Sequence, residues 1–418
     1  MPRVAERYAR SEMNESAGPV DPDSAAVVAV TRQERRIAMR RRRERRIRRR
    51  RALAVLLILL APVLYSYVTT VSRPSSLPLG IRSVEWLRTH HGAFLVNEAE
   101  RLYYNVNAPA KGGPTLRTLP TVGVAPVHAS TPRRGFRPKP IAPILRPRLP
   151  GEGVWRSTGR IVDGAPPVLV TTFRSEATYP RIVAYVAWFD HRRTQLALYP
   201  GRYEPPDANP RGPMQVPFRQ RWRLLSTFNS GFLIRDSHGG FFLNGQSITP
   251  LRQGQGTVIA YKDGRVAVVS WTGGATPPSD VVLAQQNLPL IVAHRRPNRL
   301  LSDGSAWGST LGNAVRVWRS GIGIDQRGNL IYAAASDQTA ATLADILIHA
   351  GAVRAMELDI NAEWPSLITY GRGGVGYATK VVPNTQQSVD RYLVPDDRDF
   401  FAIYRRTGQA ALRSVPFG

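Results

Sequence analysis

The stretch VRAMELDINAEW, Val353–Trp364, decides how this chain is read. Along a strand, successive side chains point to opposite faces. Arg354, Met356, Leu358 and Ile360 then share one face, and Val353, Ala355, Glu357 and Asp359 share the other. The second face ends in two carboxylates. Like charges side by side at a strand end repel each other, and a sequence built for stability alone tends to avoid them. Glu363 follows on the expected loop, with Asn361 between. This cluster is the first candidate for chemistry.

Upstream of it lies TAATLADILIHAG, Thr339–Gly351, in which Leu343, Ile346, Leu347 and Ala350 recur at helical spacing. Thr342 and Asp345 form an S/T-x-x-D/E start signal, and Gly351 stands where a left-handed C-cap belongs. Before the helix, LIYAAASDQ (Leu330–Gln338) and Ala314–Asp325 read as strands. Further strands are expected at Val168–Phe173, Ile182–Phe189, Gln195–Tyr199, Arg223–Ile234 and Gln285–Ala293. Hairpins are expected around Asn244-Gly245 and Asp263-Gly264, pairs that suit tight type I′ turns. The expected class is α+β: a mixed, mostly β domain with few helices, preceded by a single transmembrane helix.

The chain has 418 residues, 43% of them hydrophobic, enough for one large domain with appendages. It has no cysteine, so disulfides, thiolate catalysis and cysteine metal sites are excluded. The net charge of +27 suggests a nucleic-acid binder only until its distribution is seen. The run Arg32–Arg51 is rich in arginine and directly precedes ALAVLLILLAPVLYSYVTTV, Ala52–Val71, which has no charged residue. At 1.5 Å per residue a helix of that length spans roughly 30 Å, the thickness of a bilayer core. Basic residues before it, and only Arg73 directly after, put the N-terminus in the cytoplasm and the rest outside the membrane. The segment is longer than the apolar core of a signal peptide, and no clear A-x-A site follows it. Lipid is therefore an expected partner and nucleic acid is not.

The expected organisation is a disordered, Arg-rich cytoplasmic tail at 1–51, a span at 52–71, a juxtamembrane helix and proline-rich spacer at 72–150, and an extracytoplasmic domain at 151–418. Ser83–Tyr104 reads as an amphipathic helix or helix pair that Gly92 interrupts.

Neither G-x-S-x-G, H-E-x-x-H nor a P-loop pattern is present. The histidines are scattered, and no cofactor or metal is expected. Gly371–Gly376 is glycine-rich, but no helix signal follows it, so it reads as a loop. Besides the acid cluster, two places interrupt the regular pattern. Asn229-Ser230-Gly231 breaks a hydrophobic strand, where glycine permits close approach and asparagine offers donor and acceptor. In Trp318–Ile324, Arg319 shares a strand face with Gly321 and Gly323, which leaves room for a planar anion on its guanidinium.

These three places, in this order, resemble the phosphodiester glycosidase family. Its pattern is an N-G-G-F-F strand, a hairpin, an R-x-x-I-G-like strand, a leucine-rich helix and a strand ending L-D-G-G-G-S. Here the corresponding residues are Asn229–Leu233, Arg319–Gly323, Leu343–Ala350 and Leu358–Glu363, and the resemblance covers roughly Val168–Tyr404. Asn229, Arg319 and Asp359 match. Ser230 replaces a glycine, Ile360, Asn361 and Ala362 replace the glycine-rich end, and Glu363 replaces its serine.

The resemblance implies a hydrolase that cleaves the glycosidic bond of a sugar-1-phosphodiester, such as one in an envelope glycopolymer. Asp359 is the expected catalytic carboxyl, with Glu357 or Glu363 as its partner. Arg319 is expected to hold phosphate, and Asn229, Ser230, Gly231 and Asn361 to line the substrate site. The alternative is a catalytically silent glycan-binding module on the same fold, because loss of the glycines threatens the tight loop of the last motif.

Overall fold

The computed structural model describes residues 22–75, 77–126, 137–302, 307, 316–371, 374–383 and 387–407. The expected disorder of residues 1–21, part of the proline-rich stretch, and Arg372 and Gly373 of the glycine-rich loop lie outside them. The chain divides into two compact units, Met1–Thr70 and Val71–Gly418.

The described part of the first unit is helical. Helix α1 runs Pro22–Ser72 without a break, with Pro62 inside it, so the Arg run is helical where a disordered tail was expected. From Arg35 to Ser72 it is long and apolar enough to cross a membrane.

In the second unit the mostly β expectation holds. Among the described residues all strand pairs are antiparallel, within three sheets. The largest has nine strands, in the spatial order Ala125–Pro126, Arg156–Ser157, Val168–Arg174, Val183–Phe189, Leu330–Gln338, Val317–Ile324, Arg354–Ile360, Val292–Ala293 and Arg296–Pro297. A five-stranded sheet is centred on Leu224–Asn229, between Leu367–Tyr370 and Phe400–Arg405. The third, also five-stranded, contains Gly256–Tyr261 and Val281–Gln286. The central strands Val168–Arg174 and Val183–Phe189 are buried along their whole length, as near-continuous apolar runs covered on both faces require. One face packs on an interior of Val170, Phe189, Phe228, Tyr332, Leu358 and Phe401. The other carries the short helix Ala340–His349, whose Leu343, Ile346 and Leu347 are buried.

Several boundaries move. Of the expected helix or helix pair, the structure has the pair, Leu79–Leu87 (α2) and Ala93–Val106 (α3). The break falls at His90 and His91, where His91 has φ 65°, and not at Gly92, which is buried. The expected strand Arg223–Ile234 stops at Asn229, and Ile234–Ser237 is a helical turn (α4). The spacer is not a linker. Ala125–Pro126 joins the large sheet, and Ile141 and Leu149 are buried. Pro147 and Leu145 carbonyls accept from the buried Arg174 guanidinium, which also pairs with Glu152. The folded unit therefore begins at Val71, well before Gly151.

Candidate active site

The strand Arg354–Ile360 changes register as it enters the site. Gly321 faces Glu357, but Arg319 faces Ile360, so Leu358 and Asp359 together oppose Ser320. Such a bulge bends a strand and re-aims a side chain. Beyond it the Asp359 N–H leaves the large sheet and donates to the Ser230 carbonyl at 3.0 Å. Glu357 stays within the sheet. The bulge thus separates two carboxylates that the sequence places side by side.

Asp359 is buried. Its Oδ2 accepts from Arg398 Nη2 at 2.7 Å and its Oδ1 from the Ile360 N–H at 3.0 Å. Burial is the largest influence on its acidity and pushes its pKa up to about 7, against the attraction of Arg398. The Arg398 guanidinium lies 4.6 Å from the Trp364 ring centroid and reaches the Gly231 carbonyl. Trp364 in turn packs against Leu77 and Ile81 of the juxtamembrane segment. The charge of Glu85, on α2, raises the pKa of both Asp359 and Arg398.

Glu357 pairs with Arg319 instead, Oε1 to Nη1 at 2.5 Å. Burial raises its pKa to about 6, with Arg319 opposing. Arg319 also donates to the carbonyls of Gln338 and Trp307. The room beside it is taken: a Cβ on Gly321 would lie 2.9 Å from Leu347 Cδ1 and 3.0 Å from the Met356 carbonyl. The glycines admit the helix and the neighbouring strand, where an anion was expected. Glu357 is thus the partner of Arg319 and not of Asp359.

Asn229 is consumed within the protein. Its amide donates to the Ser230 carbonyl and Ser320 Oγ, both at 2.9 Å, and accepts from Tyr332 and the Ser366 N–H. Ser320 Oγ donates to the Asp359 carbonyl at 2.8 Å. With two donors and two acceptor lone pairs in use, Asn229 is a cross-brace that fixes the Asp359 backbone, not a free ligand. Gly231 passes between two amides; a Cβ there would meet Gln285 Nε2 at 2.7 Å and Asn287 at 3.1 Å. Asn361 has φ 76°, the left-handed conformation that asparagine tolerates. Glu363 is half-buried, and its pKa is raised chiefly by burial while Arg88 opposes. It sits beside the juxtamembrane helices rather than at Asp359.

Buried polar atoms are ordinarily hydrogen-bonded. Here Ser230 Oγ, Arg398 Nε, Asn361 Oδ1, Glu357 Oε2 and Gln285 Oε1 are buried with no partner among the described residues. They come from segments far apart in sequence, and they cluster around the first and last motifs. Among the described residues no acid or histidine group could hold a metal.

Sequence reasoning missed Arg398, Asp399, Glu204 and Trp364. The run Asp396-Asp397-Arg398-Asp399, directly before the apolar strand Phe400–Arg405, was the available signal.

Fold and site together define a β-rich domain with a buried carboxyl–guanidinium centre. Residues 225–359 match the model of the phosphodiester glycosidase family. Among solved structures it is similar to the catalytic domain of zebrafish N-acetylglucosamine-1-phosphodiester alpha-N-acetylglucosaminidase, described as auto-inhibited by its pro-peptide. Identity is 14%, over 60% of this chain and 87% of that one, with a TM-score of 0.39. A hypothetical protein from Synechocystis shows 13% identity over 60% of this chain and 63% of its own, with a TM-score of 0.36. No curated protein matches the chain. The likeness to the family rests on the match over 225–359.

Proposed function

We propose that the protein is a membrane-anchored hydrolase that cleaves the glycosidic bond of a sugar-1-phosphodiester on the extracytoplasmic side. The observation that carries this reading is the Asp359 carboxyl, held by Arg398 at the end of the matched domain with a pKa of about 7. A base works best when its pKa lies near the working pH. In the reaction, water adds at C1, the C1–O bond breaks, and a phosphate monoester leaves with the bonding electron pair. Asp359 takes the proton from water, and Arg398 receives the charge that develops on phosphate. Arg319 holds Glu357, and Asn229 fixes the backbone of Asp359. An envelope glycopolymer with sugar-phosphate links is the substrate class that an anchored, outward-facing domain would meet. The Arg run on the N-terminal side of the apolar helix supports this orientation.

The silent-module reading rested on the lost glycines. Asn361 supports the enzyme instead, because it adopts the left-handed conformation that a glycine would supply. The test is full-length protein in detergent micelles with a panel of sugar-1-phosphodiesters, assayed for released reducing sugar. D359N is expected to lower turnover by roughly 10²–10⁴-fold with unchanged thermal unfolding. Wild-type rates in D359N would remove Asp359 from the reaction. Saturable binding without release by wild type would favour the module.

A further inference from the structure

Ser230 stands between two acids. On one side its carbonyl accepts from the Asp359 N–H. On the other, Phe400 pairs with Asn229 in the register of the antiparallel strands, which brings Asp399 opposite Ser230. Asp399 is 4% exposed. The Ser230 hydroxyl, 2% exposed, turns toward its carboxyl without closing a well-formed hydrogen bond. Asp399 directly follows Arg398, which holds Asp359. Glu204, whose Oε1 accepts from the Ile234 N–H at 2.7 Å, adds a further negative charge on this side. A chain that needed only an ion pair for Arg398 has one in Asp359, and Asp399 is a second buried acid at the same arginine.

We propose that Asp399 is the second carboxyl of the site, and that it donates a hydrogen bond to a phosphoryl oxygen of the substrate. The inference rests on the reading of the site as a phosphodiester glycosidase. The groups facing Asp399 agree on its state. Burial and the charges of Glu204 and Asp359 raise its pKa well above the ordinary range, and only Ser230 and Arg398 oppose them. A charged carboxylate here would repel phosphate; a protonated one is a donor, as buried acids in apolar sites can be. The division of labour suits the chemistry. A phosphate monoester is a weak base and leaves with little need of a transferred proton, so a fixed neutral donor suffices beside the Arg398 cation. Asp359 remains the group that takes the proton from water.

The probe that tests this is the methyl monoester of a hexose 1-C-phosphonate. It carries a single negative charge throughout the working range and cannot be cleaved at C1. Its affinity for the full-length protein in micelles would be measured by calorimetry from about pH 5 to 9, a span that brackets ordinary enzyme operation. Wild type is expected to bind less tightly as Asp399 loses its proton at the upper end. D399N keeps a neutral donor, so it should bind as wild type does near neutrality and show a smaller decline, the part that Asp359 contributes as it ionises. D399A should bind at least about tenfold more weakly than wild type at the lower end of the range, where Asp399 holds its proton, the scale of one lost hydrogen bond to a charged group. Thermal unfolding of D399N, which is isosteric, separates binding loss from misfolding. Identical pH curves for wild type and D399N, or wild-type affinity in D399A, would overturn the assignment. So would a wild type that does not bind the probe. Absent turnover of the diester panel, with this binding pattern intact, would remove the hydrolase and leave Asp399 as a phosphoryl-binding acid.

Discussion

Glu357 and Asp359 stand two residues apart, yet each answers to a different arginine. Neither figures among the charges that shift the other. The acids themselves were legible in the sequence as two carboxylates at one strand end. Their partners were not. A bulge cannot be read from alternation, and it alone decides that Glu357 meets Arg319 while Asp359 meets Arg398. The same argument predicts the effect of truncation. E357A leaves the buried Arg319 cation without its counter-charge, and such losses cost about 3–5 kcal/mol. Urea unfolding of E357A should show a loss of that order, and a loss below about 1 kcal/mol would mean that the pair is solvated.

At the level of elements, the helix Ala340–His349 was legible from its apolar spacing, and Gly351 indeed closes it, with φ 103°. Its start was misread by one turn. Thr339 is the N-cap, and Thr342 closes the capping box from the third position by accepting the Thr339 N–H. The expected start signal put Thr342 first because it required an acid three residues on, whereas a threonine hydroxyl does the same work. The glycines of Val317–Ile324 were likewise seen and misassigned: small residues on a strand face signal close approach but do not say what approaches. Here it is Leu343 and Leu347 of the helix. G321V should therefore destabilise the fold, by about 1–3 kcal/mol through overpacking. Stability equal to wild type, measured by chemical denaturation, would show that the helix can withdraw.

Across the whole molecule, the charge balance and the apolar helix were read correctly as a basic run beside a candidate span. The domain boundary was placed too late, because proline-rich sequence looks like a linker until its buried Ile141 and Leu149 are seen. Val71–Val106 belongs to the folded unit for a similar reason: Ser75 donates to Asp397 at 3.0 Å, and Leu77 and Ile81 cover Trp364. Amphipathic spacing shows that a helix has an apolar side, but not which surface receives it.

Glu85 carries the consequence of that packing. It lies outside the matched residues 225–359, yet its negative charge helps to hold the Asp359 pKa near 7. E85Q should move that pKa downward, toward the ordinary carboxylate range, which a carboxyl-carbon NMR titration of the full chain would read directly. An unchanged titration would show that solvent screens the two groups. If Asp359 works as a base, the acidic limb of the rate profile should move down with it, since the carboxylate then persists to lower pH. The working pH of the centre is thus adjustable from a neighbouring helix, and two chains with the same catalytic strands could be tuned to compartments of different acidity by their juxtamembrane sequence alone.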